Sequence, residues 1–350
     1  MLTIIYFILI LGIIVLVHEG GHFLFAKLCG IYVHEFAIGM GPKLFGWKSK
    51  NGETAYSIRA IPIGGFCSLA GEGTEEDKDI PKDRLLQSKT AWQRFLVMFF
   101  GAGFNFILAI ILLFFLGLFV GSSDMKPIIS ELVKDNPAEQ AGLQVGDYIL
   151  EINNHKVKTI DDVAIYLQVE DKEKPITFTV ERDDQEYEFK VTPIKEEIDG
   201  SVVYRVGIKT EGEIEKGFIP AIKYAFTKTM SLFRQMVITF KCLFTGGVSM
   251  NQLSGPVGIY NVVGTQAAAG FENIVYLIAL LSVNVGFINL LPFPAFDGGR
   301  ILFLIIEKIK GSPVKAETEN LVHAIGFFLL MALMIYITFN DVLKLFTLIR

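Results

Sequence analysis

The sequence predicts a polytopic α-helical membrane protein with four transmembrane helices, a membrane-associated β-loop region and an inserted α+β domain. Three observations carry this reading. Apolar residues make up 51% of the 350 positions and are concentrated in four long runs. A glycine-rich segment of alternating apolar residues follows the first run. A polar stretch from Met125 to Glu215 carries strand signals and one helix signal.

The four runs are Met1–Val17, Phe95–Val120, Ile274–Leu291 and Leu321–Phe339. With their flanks, each supplies the roughly 20 residues that a helix needs to cross a hydrocarbon core of about 30 Å. The first run has no basic residue before it and no small-x-small cleavage site after it, so it reads as a retained span and not as a signal peptide. Ile38–Phe45, Thr54–Ile58 and Ile63–Leu69 read as short strands, separated by Gly39, Gly41-Pro42, Asn51-Gly52 and Gly64-Gly65. A sheet this apolar can dip against a membrane where protein shields its edges. Glu72–Lys89 is charged and reads as a solvated, mobile segment.

In the polar stretch, strands are expected at Pro127–Val133, Tyr148–Ile152, Ile176–Glu181, Tyr187–Thr192 and Val202–Ile208, with a helix starting at Thr159. About 90 residues suffice for an independent domain. Between Glu215 and Thr245, apolar residues from Phe218 to Phe240 recur at steps of three and four, with Lys223, Lys228, Arg234 and Lys241 between them. Two readings stand: an amphipathic helix in the membrane interface, or a core helix of the polar domain. The basic charge favours the first.

Net charge is -5 and no basic stripe is present, which gives no reason to expect a nucleic-acid partner. Cys29, Cys67 and Cys242 are odd in number and far apart, and so provide neither a disulfide framework nor a CxxC metal pair. The loop after the first span is rich in Lys and Arg. The positive-inside rule therefore assigns that loop to the cytoplasm, and the polar domain and both termini to the other side.

Chemistry concentrates in His18-Glu19-Gly20-Gly21-His22. On a helix, residues i and i+4 share a face, so both imidazoles reach one zinc ion. Glu19, between them, can act as the base for a water that the metal activates. His18 lies about 24 Å along its helix from Leu2, which sets the site near one membrane face, by the charge argument the cytoplasmic one. A catalytic zinc needs a third protein ligand. His34, His155 and His323 are candidates, but Asp297 is stronger. It follows Asn289-Leu290-Leu291-Pro292-Phe293-Pro294-Ala295-Phe296, whose prolines break a helix, and it precedes Gly298-Gly299. A carboxylate and free backbone at membrane depth make sense lining a cavity. A solvated helix cap is the competing reading.

HEGGH in the first span and Asn289-x-x-Pro292-x-Pro294-x-x-Asp297-Gly298 in a late one resemble the site-2 protease family of intramembrane zinc metalloproteases. The order of elements and Leu253-Ser254-Gly255-Pro256-Val257-Gly258 resemble its bacterial RseP/RasP-like branch. Pro137-Ala138-x-x-Ala141-Gly142-Leu143-x-x-Gly146-Asp147-x-Ile149 resembles the core of a PDZ domain, with Val206-Gly207-Ile208 as a candidate carboxylate loop. The branch often carries two PDZ domains; this chain has room for one.

The resemblance implies His18, His22 and Asp297 as Zn2+ ligands and Glu19 as the catalytic acid/base. It implies that Asn289 holds substrate backbone, that Gly101 and Asn105 contribute near the site, and that a re-entrant β-loop with Arg59 guides extended substrate. For Gly101 and Asn105, close helix packing with a buried hydrogen bond competes. The implied substrates are single-span membrane proteins, such as anti-sigma factors or remnant signal peptides. The implied setting is the bilayer of a bacterial plasma membrane, with an extracytoplasmic PDZ domain that contacts peptide or substrate ectodomain.

The chain then divides into residues 1–33, first transmembrane helix with HEGGH; 34–94, β-loop and cytoplasmic segment; 95–121, second transmembrane helix; and 125–215, PDZ domain. The remainder is 216–272, amphipathic helix and LSGPVG loop; 273–299, third transmembrane segment; and 321–346, fourth transmembrane helix. Two other classes compete: a receptor or scaffold with structural zinc, which Glu19 disfavours, and a transporter, for which no internal repeat is found.

Overall fold

The computed structural model describes residues 2–72, 77, 79–198, 201–247 and 253–348. Chain contacts group into two units, Met1–Leu112 with Leu253–Arg350, and Leu113–Gln252.

In the first unit, α1 (Leu2–Leu28) is one continuous helix of 27 residues, about 40 Å long. Most of its side chains face outward, and Ile10, Ile14, His18, Gly21, His22 and Ala26 turn inward. Two long strands follow, β1 (Val33–Lys48) and β2 (Ala55–Leu69). Three short strands were expected here, but register shows each long strand folded double. Residues 33–38 pair on one side with 65–69 and on the other with 55–58, and 43–48 pair with 55–59. The ladder order is 43–48, 55–59, 33–38, 65–69, with 65–69 at one edge. The bend at Gly39 requires glycine: φ is 84° and a Cβ would stand 2.5 Å from the Ile61 carbonyl oxygen.

Glu72–Lys89 is less solvated than its charge predicts. Residues 73–76 and 78 of it lie outside the described residues. Elsewhere Leu86 is buried, its N–H donates to Ala70 O (2.8 Å), and the Arg84 carbonyl accepts from Tyr32 N–H (3.0 Å). Arg84 and Lys27 both pair with Glu53. Burial alone would raise the Glu53 carboxyl, but hydrogen bonds from Lys27 and Arg84 outweigh it and hold it below its ordinary value.

α2 (Ala91–Phe119) begins four residues before the expected span. The second unit continues through β3 (Ser122–Ser123), β4 (Glu131–Leu132), α3 (Pro137–Gln140), β5 (Tyr148–Ile152), β6 (His155–Lys156), α4 (Ile160–Val169), β7 (Ile176–Arg182) and β8 (Gln185–Val191). β9 (Ile194–Ile198) and β10 (Ser201–Arg205) form a hairpin, β11 (Ile208–Lys209) pairs with β4 and β12 (Ile214–Glu215) with β3. The central sheet is antiparallel in the order β6-β5-β7-β8. Alternate residues Ile149, Ile176, Phe178 and Val180 enter a core shared with Ile129, Leu143 and Val163. Thr159 and Asp162 form a capping box at the start of α4.

In α5 (Phe218–Thr245), two of the four basic residues pair within the second unit. Lys228 donates to both oxygens of Asp161 at 2.8 Å, and Arg234 pairs with Asp162 at 3.0 Å. These cations answer the acidic first turn of α4, so they say nothing about lipid headgroups. One face of α5 packs on α4, while Lys223, Lys241, Phe218, Phe226, Met230 and Val237 remain exposed, as either reading of this helix allows.

Back in the first unit, α6 (Pro256–Ala269) was not expected as a helix. Asp341 caps it, accepting from Gly255 N–H (2.8 Å) and Gly258 N–H (2.9 Å). The preceding residues 248–252, part of the expected LSGPVG-loop region, lie outside the described residues. α7 (Phe271–Leu290) packs with α1 and α6 around Ile10, Ile14, Val263 and Leu277. Within the expected third segment (273–299) the helix breaks where its prolines lie, at 291–296, and α8 (Asp297–Lys310) starts anew. Pro292 and Pro294 lack the N–H that would continue α7. α9 (Ala316–Leu348) completes the unit. Leu2–Leu28, Ala91–Phe119, Phe271–Leu290 and Glu317–Lys344 are long and apolar enough to cross a bilayer.

Candidate metal centre

α1 and α2 approach closely because two glycines face across the crossing. A Cβ on Gly21 would lie 2.0 Å from the Phe100 carbonyl oxygen, and one on Gly101 would lie 2.3 Å from His22 Nε2. This contact lets the His22 Nδ1–H donate to the Val97 carbonyl at 2.8 Å. With Nδ1 protonated, Nε2 of His22 carries the lone pair.

One turn earlier, His18 Nδ1 lies 3.4 Å from the side-chain amide of Asn105, which is fully buried. An imidazole whose Nε2 is a ligand carries its proton on Nδ1 and needs an acceptor, so Asn105 must turn its oxygen toward His18. Ser282 of α7 donates to the backbone carbonyl of Asn105 at 3.0 Å. Glu19 is half-buried beside the pair, near the backbone of Cys67 on the edge segment of β2.

Asp297 opens α8. Its Oδ2 lies 3.2 Å from His18 Nε2 and 3.3 Å from His22 Nε2, and the two Nε2 atoms are 3.2 Å apart. Gly298 permits this placement, since a Cβ there would meet the Leu291 carbonyl oxygen at 2.2 Å.

These distances test the fit of a metal. Zinc–ligand bonds of about 2.0–2.1 Å at tetrahedral angles separate ligand atoms by about 3.3 Å, and all three separations match. Oδ2 of Asp297 is buried and has no hydrogen-bond donor among the described residues. Lone-pair atoms held this close repel unless a cation lies between them. Among the described residues, His18, His22 and Asp297 form the one cluster of His, Cys, Asp or Glu compact enough to hold a metal ion. Three protein ligands leave the fourth tetrahedral position open, as in catalytic zinc sites.

The remaining sequence candidates are dispersed. His34 pairs with Asp77 at 2.9 Å, and His323 accepts from Ala295 N–H at 2.9 Å. In the second unit, His155 stacks on Tyr166. None of the three joins the cluster. The Asn289 amide donates to Val285 O of its own helix at 3.0 Å. Arg59 is committed to the hairpin: it pairs with Glu35 at 2.8 Å, donates to Gly41 O at 2.8 Å and lies over the Phe66 ring. Cys29, Cys67 and Cys242 are free thiols. Burial, followed by the nearby Glu19 and Glu72 carboxylates, pushes the Cys67 thiol far above its ordinary value.

Sequence reasoning missed the Val97 carbonyl, the Cys67 backbone and Ser282. The first two are backbone groups without a sequence signal. Ser282, a hydroxyl in an apolar span, offered a weak one.

A glutamate beside a cluster of two histidines and one carboxylate, with both histidines on a helix of membrane-crossing length, defines the site expected of a membrane metallopeptidase. The model of peptidase family M50 matches residues 6–333. A protein of Clostridium perfringens is 40% identical, over 97% of this chain and 98% of its own. The regulator of sigma-W protease RasP of Bacillus subtilis is 34% identical, over 98% of this chain and 99% of its own. The zinc metalloprotease RasP of Bacillus licheniformis is likewise 34% identical, with the same coverage. The chain belongs to peptidase family M50 and is a multi-pass membrane protein.

Proposed function

We propose that this protein is an intramembrane zinc metalloprotease in which His18, His22 and Asp297 hold Zn2+ and Glu19 is the catalytic acid/base. It hydrolyses peptide bonds within transmembrane segments of single-span membrane proteins, in regulated intramembrane proteolysis. The observation that carries this reading is the triangle of ligand atoms with 3.2–3.3 Å edges.

The metal, when bound, polarises the scissile carbonyl and makes water acidic enough to react near neutral pH. Glu19, beside the two histidines, takes a proton from the attacking water and delivers it to the departing amine nitrogen. Val97 and Asn105 hold the two imidazoles in the tautomer that directs Nε2 to the metal. The edge at 65–69 lies beside Glu19 and can pair with substrate backbone by strand addition, keeping a helical substrate unwound. Asn289, with its Oδ1 free of the bond to Val285, accepts from substrate backbone. Gly101 leaves room for His22, and Arg59 braces the hairpin that offers the edge.

Residues 125–215 form a PDZ domain that contacts peptide or the substrate ectodomain. A four-stranded antiparallel sheet and a capped helix support this. The basic first loop supports a cytoplasmic active-site side and an extracytoplasmic PDZ domain in a bacterial plasma membrane. By analogy with the regulator of sigma-W protease, anti-sigma factors and remnant signal peptides are the substrate classes of choice.

The test uses purified protein and a model single-span substrate. Glu19→Gln should retain about one zinc per chain yet not cleave, and Asp297→Asn should lose metal. Undiminished cleavage by the first variant removes Glu19 from its role. Unchanged metal content in the second removes Asp297 from the ligand set.

A further inference from the structure

Asp297 sits at the end of a segment that cannot hold itself in place. Residues 291–296 lie between two helices, and two of them are prolines. Only local turn bonds tie the segment internally, among them Phe293 N–H to Leu291 O (2.7 Å) and Phe296 N–H to Phe293 O (3.2 Å).

Ala295, two residues before Asp297, has a φ of 81°. A left-handed alanine costs roughly 1 kcal/mol or more and persists only where its surroundings impose it. The imposing element is α9. Ala295 N–H donates to Nδ1 of His323 at 2.9 Å. One turn further along α9, Gly326 lies flush against Pro294: a Cβ there would stand 2.5 Å from the Pro294 Cβ and 2.6 Å from its carbonyl oxygen. Phe303 of α8 flanks the imidazole, with ring centroids 5.5 Å apart. The face of α9 around His323 and Gly326 thus fits the backbone of Pro294 and Ala295.

We propose that His323 is a positioning residue for the metal centre. By accepting the Ala295 N–H, it locks the strained turn that points the Asp297 carboxylate at His18 and His22. This rests on the reading of those three residues as zinc ligands. His323 touches neither metal nor substrate. Its Nδ1 must carry a lone pair to accept, which leaves the ring proton on Nε2, 4.0 Å from Glu319 Oε1. A histidine that only filled space would be replaceable by any side chain of similar volume. One that holds the turn is replaceable only by another acceptor at the same atom.

That difference sets the experiment. Leu and Asn have the same shape, and only Asn places an acceptor where Nδ1 stands. Full-length wild type, His323→Leu and His323→Asn are purified and loaded with zinc, and the rate of zinc transfer to a chromogenic chelator is measured. The visible spectrum of each cobalt-substituted protein reports ligand geometry. Leu should lose zinc about 10–100-fold faster and shift the cobalt bands, and Asn should stay within about threefold of wild type. Equal zinc loss and equal spectra for Leu and wild type would overturn the proposal, as would Asn failing as badly as Leu.

Should His323→Leu not fold by circular dichroism, Gly326→Ala decides. It keeps His323 but wedges Pro294 aside, so faster zinc loss supports the clamp and an unchanged rate refutes it. Wild-type protein that binds no zinc at all would overturn the ligand assignment itself, a result distinct from any difference among variants.

Discussion

The bare Cα of Gly101 faces the imidazole of His22 so closely that a single methyl group there would lie 2.3 Å from both Cε1 and Nε2. Nε2 is the atom His22 turns toward Asp297 and His18, so this glycine guards the metal centre as well as the helix crossing. Gly101→Ala should therefore weaken zinc retention by tenfold or more, on the order of 1.4 kcal/mol, and reduce cleavage in parallel. Gly12→Ala serves as control, because nothing lies within 4 Å of a Cβ there. Equal chelator resistance in the two variants would refute the steric argument.

The Asn105 side-chain amide lies 3.4 Å from His18 Nδ1, and Ser282 donates to the Asn105 backbone carbonyl. With His18 as a zinc ligand through Nε2, as proposed, Asn105 turns its oxygen to accept the Nδ1 proton. Asn105→Leu preserves shape and removes the acceptor, so zinc affinity should fall about 10–100-fold. Ser282→Ala should cost only a fewfold, since it acts one step further out. Competitive chelation measures both. An Asn105→Leu protein with wild-type affinity would return the residue to plain helix packing.

The β hairpin should loosen in acid. Burial alone would raise the Glu35 carboxyl, but hydrogen bonds from Ser57 and Arg59 and the Arg59 charge outweigh it and hold it below its ordinary value. A depressed carboxyl stabilises the fold above its unfolded value, and that stability drains away as pH falls through the lower folded value. Amide protection factors in residues 33–38 and 55–59, corrected for the intrinsic exchange rate at each pH, should fall below about pH 4, and Glu35→Gln should flatten this dependence while costing about 1–2 kcal/mol. An acid profile identical in the variant would show that another group controls the hairpin.

Asp147 is almost wholly buried and is gripped by Arg182, with Nε–Oδ1 at 2.6 Å and Nη2–Oδ2 at 2.8 Å. Removing one partner strands the other charge. Asp147→Asn should destabilise the second unit by about 3 kcal/mol, seen as faster exchange in β5 and β7. Replacing both partners by Leu and Met should cost less than the single change. A double variant as unstable as the sum of the singles would contradict this.

Much of the fold was legible because its signals are local. Apolar runs of membrane length announce helices, and His18 and His22 announce themselves by i, i+4 spacing within one such run. Asp297 was legible as a candidate because prolines and glycines mark a broken helix around a carboxylate. The doubled hairpin was less so. Alternation identified strands at Thr54–Ile58 and Ile63–Leu69, but alternation does not say that β2 runs unbroken through Arg59 to Ile63 and folds back on its partner. The partners of α5 were illegible for a related reason: nothing local announces that Asp161 and Asp162, far away in sequence, meet Lys228 and Arg234.

The sequence by itself determined the apolar runs of membrane length, the residue types of the proposed metal centre and the i, i+4 spacing of its two histidines. These depend on hydrophobicity and helical period, which neighbouring residues fix among themselves. Only the tertiary structure decided that Asp297 meets His18 and His22, that the Val97 carbonyl and the Asn105 amide face their imidazoles, and that His323 accepts from the Ala295 turn. Those relationships join atoms 28 to 279 positions apart, and several of them run through backbone carbonyls and amides that are chemically alike at every residue. No side-chain pattern encodes which carbonyl will face which imidazole; helix packing selects it.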